Sequence, residues 1–159
     1  MIVVFDSDVL IPMILPASRS ARLFHRLRAA GHKVAASQPI FDEVREKMLT
    51  DQEVRDWLEL PQRDILTFLE DFPRYCLRTP GILTVAGVVK DDPKDDKILA
   101  AAKESGASYI VSEDRHLRKL KEWEGIRIMN REEFMAEMDR LGVPAIPRRK
   151  PPNRRRKRR

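Results

Sequence analysis

The chain reads as an α/β domain: a central parallel sheet covered by helices on both faces, in a three-layer α/β/α arrangement. Two observations predict it. Short apolar runs at Ile2-Val3-Val4-Phe5, Val34 to Ala36, Tyr109-Ile110-Val111 and Ile126 to Met129 alternate with longer stretches whose apolar residues recur at helical spacing. Such alternation builds parallel strands joined by helical crossovers. Acidic residues also gather at the edges of the apolar runs, first as Asp6-Ser7-Asp8. An Asp just past the carboxyl end of a strand stands where open α/β sheets bind ligands.

After the first strand, Ser18 caps a helix carrying Leu23, Phe24 and Leu27 on one face, and Gly31 stops it. A second strand at Val34 to Ala36 leads into a helix through Ile40, Val44 and Met48, with Ser37 as its N-cap and Pro39 in its first turn. Glu43 falls at the border of that helix's apolar face. Two further helices, broken near Pro61, follow from the periodic residues between Asp51 and Phe72. The stretch Tyr75 to Val89, with Pro80, Gly81 and Gly87, fits a short strand or a loop equally. Asp91-Asp92-Pro93-Lys94-Asp95-Asp96 then opens a helix through Ile98, Leu99 and Ala102 that ends at Gly106. The strand Tyr109-Ile110-Val111 runs into Ser112-Glu113-Asp114. After the strand ending at Met129, Asn130 and Glu133 form a capping box for a last helix through Phe134 and Met138.

A length of 159 residues suits one domain with an adequate core. The division predicted is 1-143 for the domain and 144-159 for a disordered tail rich in Pro, Arg and Lys. The net charge of +6 misleads, because residues 148-159 hold nine of the 31 Lys and Arg and no acid, leaving 22 basic against 25 acidic residues elsewhere. Arg148, Arg149, Lys150, Arg154, Arg155, Arg156, Lys157, Arg158 and Arg159 therefore make a detachable basic arm of a kind that engages nucleic acid. The plainer account of such an arm is a solvated, solubilising tail. Cys76 is the sole cysteine, so no internal disulfide forms and a reducing, cytoplasmic setting is expected. Pro12 and Pro16 interrupt the most apolar early stretch, which excludes a membrane span there.

The acids at the strand ends carry the chemistry. Asp6, Glu43, Asp95 or Asp96, and Asp114 stand where strand ends and helix starts converge. Carboxylates facing one another repel and raise one another's pKa, and divalent cations relieve that repulsion. Oxygen-only donors favour Mg²⁺ or Mn²⁺ over zinc, and His25, His32 and His116 are too scattered to form a zinc cluster. Taken singly, each acid has a plainer role: Asp6 and Asp114 suit turns or caps, and Glu43, Asp95 and Asp96 suit the first turns of helices.

Val4 to Leu10, Ser37 to Val44 with Glu43, Asp91 to Leu99, and Tyr109 to Asp114 together resemble the PIN-domain ribonucleases, over about residues 1-135. They look most like the branch of toxin components of toxin–antitoxin pairs. The resemblance implies that Asp6, Glu43, Asp95 and Asp114 hold metal and cleave RNA through water activated at a carboxylate-held ion. Spacing to Gly106-Ala107 favours Asp95 over Asp96, while helical phase allows either. Ser7 and Ser112 take positions where the family has a small hydroxyl residue supporting the acids. Asp8 stands where Asn is usual and adds a ligand, and His116 replaces a frequent further acid. A homodimer, an RNA substrate and a cognate antitoxin are implied partners.

Two other functions compete. Asp6-Ser7-Asp8-Val9-Leu10 also resembles the opening motif of haloacid-dehalogenase-like phosphatases, with Asp6 as nucleophile and Asp8 as general acid. That reading leaves Glu43 and Asp114 without a role. A non-catalytic RNA-binding scaffold is the third option, and the intact acids argue against it.

Overall fold

The computed structural model describes residues 1–147. The tail cations from Arg148 to Arg159, and the disorder expected of them, lie outside the described residues. Six strands form one sheet in the order β3-β2-β1-β4-β6-β5: β1 (Ile2–Phe5), β2 (Lys33–Ala36), β3 (Leu77–Arg78), β4 (Tyr109–Val111), β5 (Glu122–Trp123) and β6 (Ile126–Met129). β1 is central, with Val4 registered against Ala35 of β2 and Ile110 of β4, both parallel. Val3, Val4 and Phe5 are all fully buried, as expected of a parallel strand covered on both faces. Burying side chains of this size contributes about 1.5–3 kcal/mol each.

The helices supply the outer layers. α2 (Arg19–Ala29) packs on β2 and on α8 (Arg131–Arg140), which lies against β6, while α6 (Asp96–Ser105) crosses β1, β2 and β4 with α3 (Gln38–Thr50) beside it. α4 (Gln52–Leu58) and α5 (Gln62–Asp71) extend the α3 side, and α1 (Ser7–Leu10) and α7 (Arg115–Arg118) are single turns following β1 and β4. The expected caps of α2 and α8 form: Ser18 Oγ accepts from Ala21 N–H at 3.0 Å, and Asn130 and Glu133 make the reciprocal box. Ser37 occupies the N-cap position of α3 without a side-chain hydrogen bond.

The structure amends the sequence reading in three places. The sheet is not wholly parallel, because β5 runs antiparallel to β6, with Trp123 opposite Ile126. The joining turn places Glu124 and Gly125 at φ 48° and 80°, the paired positive values of a tight hairpin. Glu is an unusual residue there, so the turn lacks the Asn-Gly or Asp-Gly signal. The segment before α6 starts not as α-helix but as a 3-10 turn, Pro93–Asp95. Between β3 and that turn the chain makes no regular element and is strapped to α6 by two carboxylates. Glu104 accepts from the N–H groups of Gly81, Ile82 and Leu83 at 2.7, 2.7 and 3.1 Å, and Asp96 accepts from those of Gly87 and Val89 at 2.7 and 2.8 Å.

From β1 the chain moves to β2 and β3 on one side, then returns to β4 on the other. The sheet's switch point therefore lies between the carboxyl ends of β1 and β4, and ligands settle in that crevice in folds of this kind. No helix among the described residues is long and apolar enough to cross a membrane.

Candidate metal centre

Asp6 is the first residue past β1, and its N–H donates to the Val111 carbonyl of β4 at 3.0 Å. That bond fixes it at the switch point. The side chain is 5% exposed. Oδ1 accepts from Ser7 N–H at 2.6 Å and Oδ2 from the Ser112 hydroxyl at 2.7 Å. Ser112 Oγ also accepts from Asp114 N–H at 3.0 Å, so one hydroxyl ties the acid after β1 to the acid after β4. Asp114 caps α7 through His116 N–H at 2.6 Å. Asp8 Oδ2 accepts from Glu113 N–H at 3.0 Å, and Asp8 Oδ1 is buried with no partner among the described residues.

The 3-10 turn brings in two more acids. Asp92 caps the turn, its Oδ1 accepting from Lys94 N–H at 3.2 Å, and Asp95 N–H donates back to the Asp92 carbonyl at 3.1 Å. One oxygen each from Asp92, Asp95 and Asp114 lies within 4.8 Å of the others. Asp95 Oδ2 is also buried and unpartnered among the described residues. An all-carboxylate donor set with orphaned oxygens fits a hard divalent cation.

Glu43 is held differently. Its Oε1 pairs with Lys47, one turn further along α3, at 2.8 Å, and its Oε2 pairs with Lys97 at 2.7 Å. Lys47 Nζ also donates to Ser7 Oγ at 2.9 Å, joining α3 to the turn that follows β1.

Protonation follows this division. Burial, reinforced by Asp6, Asp114, Asp92 and Glu43, pushes Asp95 up to about 7. Burial, then the neighbouring Asp6 charge, pushes Asp8 up to about 8. Burial also raises Asp6, against the hydrogen bonds from Ser112 and Ser7. Burial acts upward on Glu43 too, but its two lysines outweigh it and hold the carboxyl low. The crevice thus holds carboxyls that ionise reluctantly without a cation.

Of the residues singled out from sequence, Asp6, Asp8, Asp95, Asp114, Ser7 and Ser112 meet at the crevice, with Glu43 beside it behind its lysines. Asp96, the alternative to Asp95 as a ligand, is buried and has both oxygens engaged by loop N–H groups. Its task in this structure is to fasten the loop that delivers Asp92 and Asp95. Three neighbours of the site, Asp92, Lys47 and Lys97, were missed by sequence reasoning. The Asp92-Pro93-Lys94-Asp95 spacing pointed to the first and the Glu43/Lys47 spacing of four to the second. No local signal marked Lys97.

A mostly parallel α/β sheet with carboxylates gathered at its switch point defines a class of domain built to hold a hard metal ion. Within that class, the chain matches the sequence model of the PIN domain over residues 2–116 and belongs to the PIN-domain family. PIN domains are typically metal-dependent nucleases, and the acid group that can hold the ion is present here. Family membership displaces the phosphatase reading of Asp6-Ser7-Asp8, since one family model spans that motif and Asp114 alike. The curated proteins contain no match to this sequence.

Proposed function

We propose that this chain is a Mg²⁺- or Mn²⁺-dependent endoribonuclease. The observation that carries the reading is the convergence of Asp92, Asp95 and Asp114 within 4.8 Å, beside the buried Asp6 at the sheet's switch point. A divalent ion bound there supplies Lewis-acid activation of water and neutralises phosphate charge. Asp95 and Asp114, with Asp92, hold that ion through carboxylate oxygens. Asp6 stays oriented by Ser7 N–H and the Ser112 hydroxyl. Burial and the neighbouring Asp6 charge raise the Asp8 carboxyl to about 8 in the metal-free chain. Lys47 and Lys97, anchored by Glu43, set positive charge beside the crevice, where an RNA phosphate approaches.

Likeness of the four motifs to toxin components supports a place in a toxin–antitoxin pair, acting as a homodimer in the cytoplasm. The test is cleavage of single-stranded RNA by purified protein with Mg²⁺ or Mn²⁺. Cleavage that EDTA stops and Asp114→Asn abolishes is the expected result. Undiminished cleavage in excess chelator, from nuclease-free protein, refutes the mechanism. RNA binding without cleavage in either metal would return the non-catalytic scaffold.

A further inference from the structure

The basic charge of this protein is not confined to its tail. Along α2, Arg19, Arg22, His25 and Arg28 recur at every third residue, all exposed, and α2 contains no acid. They line a groove of about 1320 Å³ between α2, α8 and the segment at residues 145–147, larger than a usual small-ligand pocket of roughly 300–1,000 Å³.

We infer that this groove binds single-stranded RNA and leads it to the acid crevice, an inference that takes its substrate class from the ribonuclease reading above. Helix stability accounts for Arg28, in the last turn of α2, but not for Arg19 and Arg22. Arg19 and Arg22 sit in the first turns of α2, where the helix dipole disfavours positive charge. A solvated helix face ordinarily mixes acids among its bases at spacings of three or four. Among the described residues, Arg19, Arg22 and Arg28 pair with no carboxylate, whereas the buried Arg26 is committed to Asp139 at 2.6 Å and to the carbonyls of Val143 and Pro144. Arg26 thereby pins the chain that forms the groove's far wall. Arg28 lies 4.7 Å over the Tyr75 ring, so Arg19 and Arg22 are the guanidinium groups that await an anion from outside.

Arg131, which lines the groove, also touches the segment that carries Asp114. Arg131 donates from Nε to Glu113 at 2.8 Å and from a terminal nitrogen to Ser20 Oγ at 3.1 Å, and Glu113 is the residue between Ser112 and Asp114. On this inference a strand lying along α2 would pass Arg131 to reach the acids. The wall also offers apolar surface from Met135 and from Ile146, which is 46% exposed. Unstacked bases can rest on such surface, whereas a duplex keeps its bases inside, which favours a single strand. The basic residues beyond Pro147 carry charge of the same sign as the groove.

The experiment measures binding of a fluorescent single-stranded RNA to the full chain in EDTA, across a salt titration. Arg19→Gln/Arg22→Gln/Arg28→Gln is compared with Arg45→Gln/Arg55→Gln/Arg63→Gln, which removes the same charge from α3, α4 and α5. Each lost phosphate contact lowers the slope of log affinity against log salt by about 0.7, so the groove variant should lose about two units and bind about a hundredfold more weakly near 0.1 M salt. The control variant should lose much less. An unchanged slope in the groove variant, or an equal loss in the control, overturns the inference. So does an acidic peptide that displaces RNA as well as unlabelled RNA does. Should the triple variant lose its fold by circular dichroism, Arg19→Gln/Arg22→Gln, which removes only charges opposed by the helix dipole, decides the question by a slope loss of about 1.4 units. Failure of the unaltered protein to cleave RNA in Mg²⁺ refutes the nuclease reading separately, and the EDTA binding data still decide the groove.

Discussion

Replacing Asp95 by Asn should stabilise the metal-free protein while removing its response to metal. Two unit charges 4.8 Å apart, the outer limit for the Asp92, Asp95 and Asp114 oxygens, repel by about 3.5 kcal/mol at an effective dielectric of 20 and about 0.9 kcal/mol in water. Asp95 is half-buried, so screening by solvent brings the net cost of its charge to about 1–2 kcal/mol. The folded-state pKa, about 7, lies above the unfolded value near 3.9. Its contribution is therefore unfavourable at high pH, and stability rises as pH falls from about 7 towards 4 and the carboxyl is protonated. Asn at this position removes that dependence. In EDTA at pH 8 the variant should melt about 2–8 °C above the unaltered protein, given about 2–4 °C per kcal/mol for a domain of this size. The advantage should vanish by pH 4. Differential scanning fluorimetry from pH 4 to 8, with and without Mg²⁺, reads both effects. Asp95→Asn no more stable at pH 8, or equally advantaged at pH 4, would refute the repulsion argument.

Asp96→Asn should behave in the opposite way: it loses one of two charge-assisted bonds to the loop and weakens the other, lowering stability by about 2–4 kcal/mol in urea unfolding. Retention of full stability would mean that the strap is dispensable. Asp6→Asn and Asp114→Asn should each abolish most RNA cleavage with the circular dichroism spectrum unchanged, and near-normal turnover in either removes that residue from the metal centre. Mg²⁺ at a hundredfold excess over its dissociation constant should stabilise the native chain by about 2.7 kcal/mol, a shift that Asp114→Asn should largely erase in thermal melts. Deleting residues 148–159 should flatten the salt dependence of RNA binding while leaving single-turnover cleavage at saturating protein intact; identical slopes would make the arm solubilising only, and a collapsed rate would place it in the active site.

The legible parts of this fold were those with local causes. β1, β2, β4 and β6 appear as apolar runs, and Ser18, Gly31 and the Asn130/Glu133 box mark their helices because caps are made by residues close in sequence. β5 was not legible because its turn puts Glu124 at a left-handed position before Gly125, where an Asn or Asp would have announced a hairpin. The loop after β3 was ambiguous because what orders it is remote: Glu104, more than twenty residues on, holds three of its N–H groups. The same limit applied at the site. Spacing brought out Asp6, Asp95 and Asp114 and leaned to Asp95 over Asp96, yet helical phase allowed either, since neighbouring acids at a helix start differ only in which way they point. The structure separates them through two backbone bonds that only the folded loop can supply.

Sequence spacing treats Glu43 as the equal of the other acids, and the structure divides them by the company they keep. Glu43 already has two cations, Lys47 and Lys97, one on each oxygen. Asp92, Asp95 and Asp114 have no such lysine pair, and Asp95 keeps a buried oxygen without a partner among the described residues. A divalent ion entering the crevice gains most where negative charge is uncompensated, which favours the Asp92–Asp95–Asp114 group, the acids that can hold one. Drawing Glu43 into direct ligation would require breaking two short ion pairs and leaving both ammonium groups to find other anions. An RNA phosphate is such an anion. On the proposed ribonuclease reading, the pairing of Glu43 with its lysines and the cluster opposite form two halves of one electrostatic arrangement, in which the aspartates would hold the cation and the lysines would meet the substrate's negative charge.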